Sequence, residues 1–225
     1  MPIQKPEIQL HVNDKTANAY LAAPEKGGPG VLVLHAWWGL KPFFKQVCDQ
    51  LAQQGFTALA PDLYQDRIAQ TVEEAKALLD QRDFELMGDT VKAAKDYLVS
   101  LNTGEPIGVL GFSMGASWAL AIAANETDVS AAVLFYGSEG VDFTPVQAKV
   151  LGHYAEVDEW EPLDGIKAME KEMKAAGVEA TLHFYPNVGH WFVEEDRPEY
   201  DSESAKLAWE RTFEFLRTSL RAAQR

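Results

Sequence analysis

Gly111-Phe112-Ser113-Met114-Gly115 is the stretch of this sequence where residue types and spacing most directly name a reaction. A serine hydroxyl is a poor nucleophile until a base takes its proton and a third group holds that base in the right tautomer. The pentapeptide fits the G-x-S-x-G nucleophile elbow, a sharp strand-to-helix turn that exposes the serine between glycines where no side chain could share the space. Such a motif demands a strand before it and a helix after it. Ile107 to Phe112 reads as a buried apolar strand and Ala116 to Ala124 as a helix. Ser113 is the candidate nucleophile, and the rest of the chain must supply a histidine and a carboxylate.

On this elbow the chain order is nucleophile, acid, histidine, with the last two in loops at strand C-termini. His11, His153 and His183 fall inside expected strands and His35 ends one ahead of the nucleophile, which leaves His190 in the turn Asn187-Val188-Gly189-His190-Trp191. The loop after the strand Lys149 to Tyr154 offers Glu156, Asp158 and Glu159. Asp158 lies far enough past the strand end to turn back toward His190, although spacing alone separates the three only weakly. The same geometry assigns an oxyanion hole to two backbone N–H groups, those of Met114 and of Trp37, just past the first parallel strand; such donors contribute about 3 kcal/mol each. Trp37, Trp38 and Trp191 flank these positions and Trp160 follows Asp158. With Tyr64 and Phe112 they are expected to wall an apolar substrate pocket. Trp118 and Trp209, on helical faces, read as core.

The elements that must position these residues follow from the apolar pattern. Val31 to His35, Thr57 to Ala60, Ile107 to Phe112, Ala131 to Tyr136, Lys149 to Tyr154 and Ala180 to Tyr185 read as buried strands. Phe43 to Gln54, Val72 to Leu79, Phe84 to Leu101, Ala116 to Ala124, Pro162 to Ala176 and Ser202 to Leu220 carry apolar residues at three- and four-residue spacing and read as helices. Gly55, Gly104 and Gly177 mark helix ends. In the first 24 residues, Ile8, Leu10 and Val12 alternate with polar neighbours before Asn18 to Ala23, which predicts an antiparallel edge hairpin. No linker divides the 225 residues, so a single α/β domain over 1–225 is expected, a mostly parallel central sheet flanked by helices on both faces.

Composition excludes several partners. The 34 Asp and Glu against 20 Lys and Arg leave a net charge of −14, which repels phosphate and argues against nucleic acid and anionic membrane. Neither a signal-peptide stretch nor a run of about 18 apolar residues occurs, so a cytoplasmic protein is expected. The one cysteine, Cys48, rules out an intrachain disulfide and reads as a buried small hydrophobe. No metal-type Cys/His spacing is found, and the chemistry above calls for no cofactor.

With these residues in view, the sequence resembles the dienelactone hydrolase family of α/β-hydrolases. The resemblance rests on His35-Ala36-Trp37-Trp38-Gly39, Ala60-Pro61-Asp62-Leu63-Tyr64, the elbow, Asp158, and a C-terminal block of Tyr185-Pro186, Gly189-His190-Trp191-Phe192, Arg197-Pro198, Tyr200 and Ala208-Trp209. It spans about residues 30 to 216 and implies a Cys-Asp-His or Ser-Asp-His triad with Asp158 as the acid. Two departures carry meaning. Family members usually have cysteine at the elbow and glutamate after the first-strand histidine, where this chain has Ser113 and Ala36; both changes remove thiol chemistry and leave a serine that needs His190 as its base. The family also binds a substrate carboxylate through arginines, one of them four residues after the catalytic histidine, where this chain has Glu194. With Glu195, Asp196, Glu156 and Glu159 nearby, only Arg67 and Arg82 are left as cationic candidates. The expected function is a serine hydrolase acting on small neutral esters or lactones, with Ala36, Trp38, Tyr64, Phe112, Trp160, Trp191 and Glu194 at the substrate. The alternatives are a thioesterase, a carboxymethylenebutenolidase-type dienelactone hydrolase, or a non-catalytic binding protein that retains the pocket.

Overall fold

The structure is a computed structural model that describes residues 3–102 and 104–223. Met1 and Pro2, which begin the expected N-terminal hairpin segment, lie outside the described residues. The chain forms two compact units, Met1–Ile107 and Gly108–Arg225.

The first unit is built on β4 (Gly30–Leu34) and β5 (Thr57–Pro61), which pair in parallel with Val31 opposite Ala58. Every residue of both strands is buried, as parallel strands covered on both faces require. β2 (Glu7–Val12) and β3 (Lys15–Pro24) form the expected hairpin, closed by a turn in which Asn13 adopts a φ of +52°. Leu10 and Val12 are buried and Gln9 and His11 exposed, as the alternation predicts. The hairpin does not sit wholly at an edge, however. β3 also pairs with β5 on its other side, antiparallel with Leu21 opposite Leu59, and the short β1 (Ile3–Gln4) joins β3 at its C-terminal end. Leu21 and Ala22 are buried as a result.

Three helices complete this unit. α1 (Pro42–Gln53) has proline in its first turn and buries Phe43, Phe44, Val47, Cys48, Leu51 and Ala52. α2 (Val72–Asp80) opens on a capping box, with Thr71 and Glu74 satisfying each other's backbone N–H groups. α3 (Phe84–Leu101) is capped by Asp83 and packs on β2, β4 and β5. At the end of β4, His35 accepts the Leu63 N–H at Nε2 (3.0 Å), so its Nδ1–H donates to the Ala36 carbonyl (2.7 Å). Gly39, with φ +87°, closes the same loop where any Cβ would overlap the Arg67 carbonyl.

The second unit is a sheet in the order β6 (Ile107–Phe112), β7 (Val129–Phe135), β8 (Lys149–Ala155), β9 (Ala180–Tyr185), with β7–β8 and β8–β9 parallel. α4 (Met114–Asn125) packs on β7, α5 (Leu163–Ala175) on β9, and α6 (Ser202–Ala223) on β7 and β8. Trp209 on α6 meets Phe112 and Phe135, the latter at a centroid distance of 5.1 Å. A directed chain crosses the β8–β9–α6 core. Arg211 Nη1 donates to the Tyr185 hydroxyl (3.1 Å), Tyr185 donates to His153 Nδ1 (2.8 Å), and His153 Nε2–H donates to Thr212 Oγ1 (2.9 Å). His153 is fully buried, and desolvation holds its pKa well below the ordinary histidine value. No helix of the described residues is long and apolar enough to cross a membrane.

Candidate active site

The C-terminal ends of β6, β7 and β8 and the loop after β9 carry the site. β6 runs into the elbow, where Ser113 adopts φ +50° and ψ −116°, a conformation that non-glycine residues rarely hold outside functional sites. It is fixed from both directions: the Ser113 N–H donates to the Phe135 carbonyl (2.9 Å), and the Ser113 carbonyl accepts the Ala116 N–H (2.8 Å). A Cβ at Gly111 would overlap the Gly115 carbonyl, which is the steric reason for the first motif glycine. Gly137, just after β7, meets the same demand, because a Cβ there would overlap the Ser113 carbonyl. The motif does not mark it. Ser113 makes no side-chain cap bond to α4, so its hydroxyl is kept for other partners. Met114 is the first residue of that helix.

His190 and Asp158 complete a bonded series. Ser113 Oγ lies 3.0 Å from His190 Nε2, and His190 Nδ1 lies 2.8 and 3.0 Å from the two carboxylate oxygens of Asp158. A carboxylate can only accept, so Nδ1 carries the proton and Nε2 is left to accept from the serine hydroxyl. The two side chains are 4% and 1% exposed. Asp158 is in turn oriented by the backbone N–H groups of Trp160 (2.8 Å) and Glu161 (3.0 Å). Its loop is tied to the His190 loop by Glu156 N–H to the Tyr185 carbonyl (2.9 Å) and Val157 N–H to the Val188 carbonyl (3.1 Å). Those two bonds are how the chain past β8 turns back toward His190, while Glu156 and Glu159 face solvent.

Around the imidazole the structure gathers residues that sequence reasoning both expected and missed. Trp191 stands edge-on to His190 at 5.2 Å, and Trp160, 40% exposed, lies 5.7 Å from Trp191. Arg197 sits over the Trp191 ring, 4.7 Å from its centroid, a cation the sequence reading did not place here. Phe112 is fully buried and stacks on Phe135 at 4.8 Å, which makes it core support for the elbow. Glu194, expected to confront substrate, is fully buried, and its Oε1 accepts a hydrogen bond from the Tyr136 hydroxyl (2.8 Å). Tyr136 leaves β7 with φ +39°, and its ring packs on His190 at 4.8 Å. Burial first, then the Glu194 carboxylate, pushes its phenol well above the ordinary tyrosine value. Glu161 accepts from the Ser138 hydroxyl (2.7 Å), and burial raises its pKa. Tyr136 had one sequence signal, its place at the C-terminal end of an apolar parallel strand, where sites on open α/β sheets lie.

The remaining expected residues belong to the first unit. Ala36, Trp37, Trp38 and Tyr64 are all buried at the ends of β4 and β5, with Trp37 and Trp38 edge-to-face at 5.5 Å. Burial pushes the Tyr64 phenol up to about 12. Arg67 and Arg82 donate to the Tyr64 and Leu79 carbonyls, so both guanidinium groups are engaged by backbone.

Comparison with known proteins agrees on family and fold. The sequence model of the Dienelactone hydrolase family matches residues 17–220. An Aquifex aeolicus protein named "Putative carboxymethylenebutenolidase" is 31% identical over 95% of this chain and 98% of its own. The crystal structure of a "Putative Dienelactone Hydrolase" from Klebsiella pneumoniae superposes with a TM-score of 0.85 at 26% identity, covering 96% of this chain and 99% of that one. An α/β hydrolase from a Medee basin deep-sea metagenome library superposes with a TM-score of 0.73 at 14% identity, covering 96% and 98%. The fold is that of the α/β-hydrolases.

Proposed function

Because this chain belongs to the dienelactone hydrolase family, we propose that it is a serine hydrolase cleaving small neutral carboxylic esters or lactones through an acyl intermediate on Ser113. The observation that carries this reading is the bonded series from Asp158 through His190 to Ser113 Oγ, ending on a serine held in a strained elbow. His190 Nε2 takes the Ser113 proton as Oγ bonds to the substrate carbonyl carbon, and Asp158 stabilises the imidazolium that forms. The tetrahedral oxyanion is held by the Met114 N–H in the first turn of α4, where the helix dipole adds to the donor. Collapse breaks the bond to the leaving oxygen, which takes the proton from His190. Water, deprotonated by His190 in the same way, then releases the acid and restores Ser113.

The carboxylates of Glu156, Glu159, Glu195 and Asp196 on the loops that carry Asp158 and His190 favour neutral over anionic substrates. The name of the Aquifex relative supports the lactone arm of the substrate range. A fluorophosphonate probe, read by intact mass and peptide mapping, tests the reading on wild type, Ser113→Ala and His190→Ala. Labelling confined to Ser113 and lost in His190→Ala is the expected result. A folded wild type that takes no label would replace this reading with that of a binding protein. A panel of neutral esters, lactones, thioesters and an anionic dienelactone then separates the substrate classes.

A further inference from the structure

Tyr136 packs its ring on the imidazole of His190 and bonds through its hydroxyl to Glu194, and neither residue enters the proton path from Ser113 to Asp158. We propose that Tyr136, tethered by Glu194, is a positioning residue of the same site, holding the His190 ring at the angle Ser113 requires and supporting its protonated form. The inference rests on the proposed role of His190 as the base.

Three observations carry it. Tyr136 is fully buried yet adopts φ +39°, the second non-glycine residue of this site in the left-handed region after Ser113. That conformation is costly for a bulky residue and persists where the surroundings over-determine it. Here they do. The Tyr136 N–H donates to the His153 carbonyl (2.8 Å), its ring lies between His190 at 4.8 Å and Phe192 at 5.9 Å, and its hydroxyl reaches Glu194. The strained φ is thus what turns the ring off the strand and against the imidazole. Secondly, Glu194 is a fully buried carboxylate, an expensive group to desolvate. Its bond from Tyr136 spans 58 residues of sequence and fixes the segment Trp191 to Glu194, next to His190, against the end of β7. Thirdly, a phenol that donates to a carboxylate has an electron-richer ring face, and an imidazolium beside such a face gains a cation–π contribution that neutral imidazole does not.

Asp158 and Glu161, from the loop after β8, are the charged groups that interact with His190 directly; Glu194 and Asp196 act on Tyr136, whose ring packs on His190, and Arg197 lies over Trp191. All but Arg197 are carboxylates. Removing the charge of Glu194 while keeping an acceptor for Tyr136 therefore separates electrostatics from packing. In Glu194→Gln the acid limb of the kcat/KM–pH profile should move to lower pH by about one unit, since a buried negative charge on the far side of the Tyr136 ring is lost. In Tyr136→Phe the ring stays but the tether is gone, and kcat should fall about 10- to 100-fold with KM within about twofold, the size expected for a misplaced base. A purely structural role would lower both plateaus and leave the acid limb in place.

The decisive measurement is a ¹⁵N NMR titration of the His190 ring in wild type, Glu194→Gln and Tyr136→Phe, without substrate. It reads the imidazole directly and so stands apart from the question of turnover. If the titration midpoint drops in Glu194→Gln, the proposal holds, even for a chain that takes no fluorophosphonate label. An unchanged midpoint in Glu194→Gln overturns it, and should Tyr136→Phe not fold, Glu194→Gln decides alone.

Discussion

His35 at the end of β4 and His190 after β9 are both buried, both protonated at Nδ1, and both bonded at each ring nitrogen. They differ in what faces Nε2. At His35 it is the Leu63 N–H, a donor that cannot give up its proton, so the ring is a tie between β4 and the loop after β5. At His190 it is the Ser113 hydroxyl, whose proton can be transferred once the oxygen has formed another bond. Nδ1 differs in kind as well. The Ala36 carbonyl orients His35 but carries no charge, whereas the Asp158 carboxylate can stabilise a cation. Burial lowers the pKa of His35, in line with a ring meant to stay neutral. Neither burial nor tautomer separates His35 from His190; the partner at the second nitrogen does.

The comparison can be broken first at the hydroxyl. Ser113→Ala should reduce turnover of a neutral ester by about 10⁴-fold or more while the melting temperature changes little. Retained turnover would mean that His190 serves another nucleophile. Asp158→Asn should lower kcat by about 10⁴-fold, because an amide can donate to Nδ1 and turn the imidazole to the wrong tautomer; a loss under tenfold would remove the distinction drawn at Nδ1. On the other side, His35→Ala should leave the Leu63 N–H buried without its acceptor and cost about 1–3 kcal/mol in chemical denaturation. No change in midpoint would make His35 a passenger.

A smaller effect is expected from pH. His35 and His153 have folded pKa values below the ordinary 6.5. Above that value both states are neutral and stability is full. As the pH falls below 6.5 the unfolded chain takes up protons that the folded one refuses, so stability is lost across the window down to the depressed folded values. Melting temperatures measured from pH 7 to 5 should fall, and His153→Gln should flatten that slope. The smallest expected effect is a gain. Ser113→Gly relieves the positive φ and should stabilise the protein by about 1 kcal/mol, and a loss instead would show that the elbow is not strained.

That Ser113, His190 and Asp158 come together was legible because each lies on a local pattern: a glycine-flanked turn after an apolar run, or a loop immediately past a strand. What stayed hidden depends on distance in sequence. Glu194 was expected at the substrate, and its burial has no local signal because a carboxylate is almost never buried unless paired; its partner, Tyr136, is 58 residues away. The φ of Tyr136 has no signature either, because a bulky residue with positive φ contradicts local preference and is imposed by packing. At the N-terminus, alternation correctly signalled a hairpin, but alternation describes the faces of a strand and says nothing of its two edges, so the pairing of β3 with β5 could not be read. Arg197 was passed over for a similar reason: its proximity to Trp191 is created by the turn that runs through Glu194.

Gly137 carries no chemistry, and its own side is quiet, yet any larger residue there would press its first carbon into the carbonyl of Ser113 and the methyl of Ala116. In a library of random variants scored only by colour on an ester plate, this position should look as intolerant as Ser113, the proposed nucleophile. A map of such intolerance would thus draw a second hot point one strand over from the serine, tracing a wedge that acts through space rather than a group that acts on substrate.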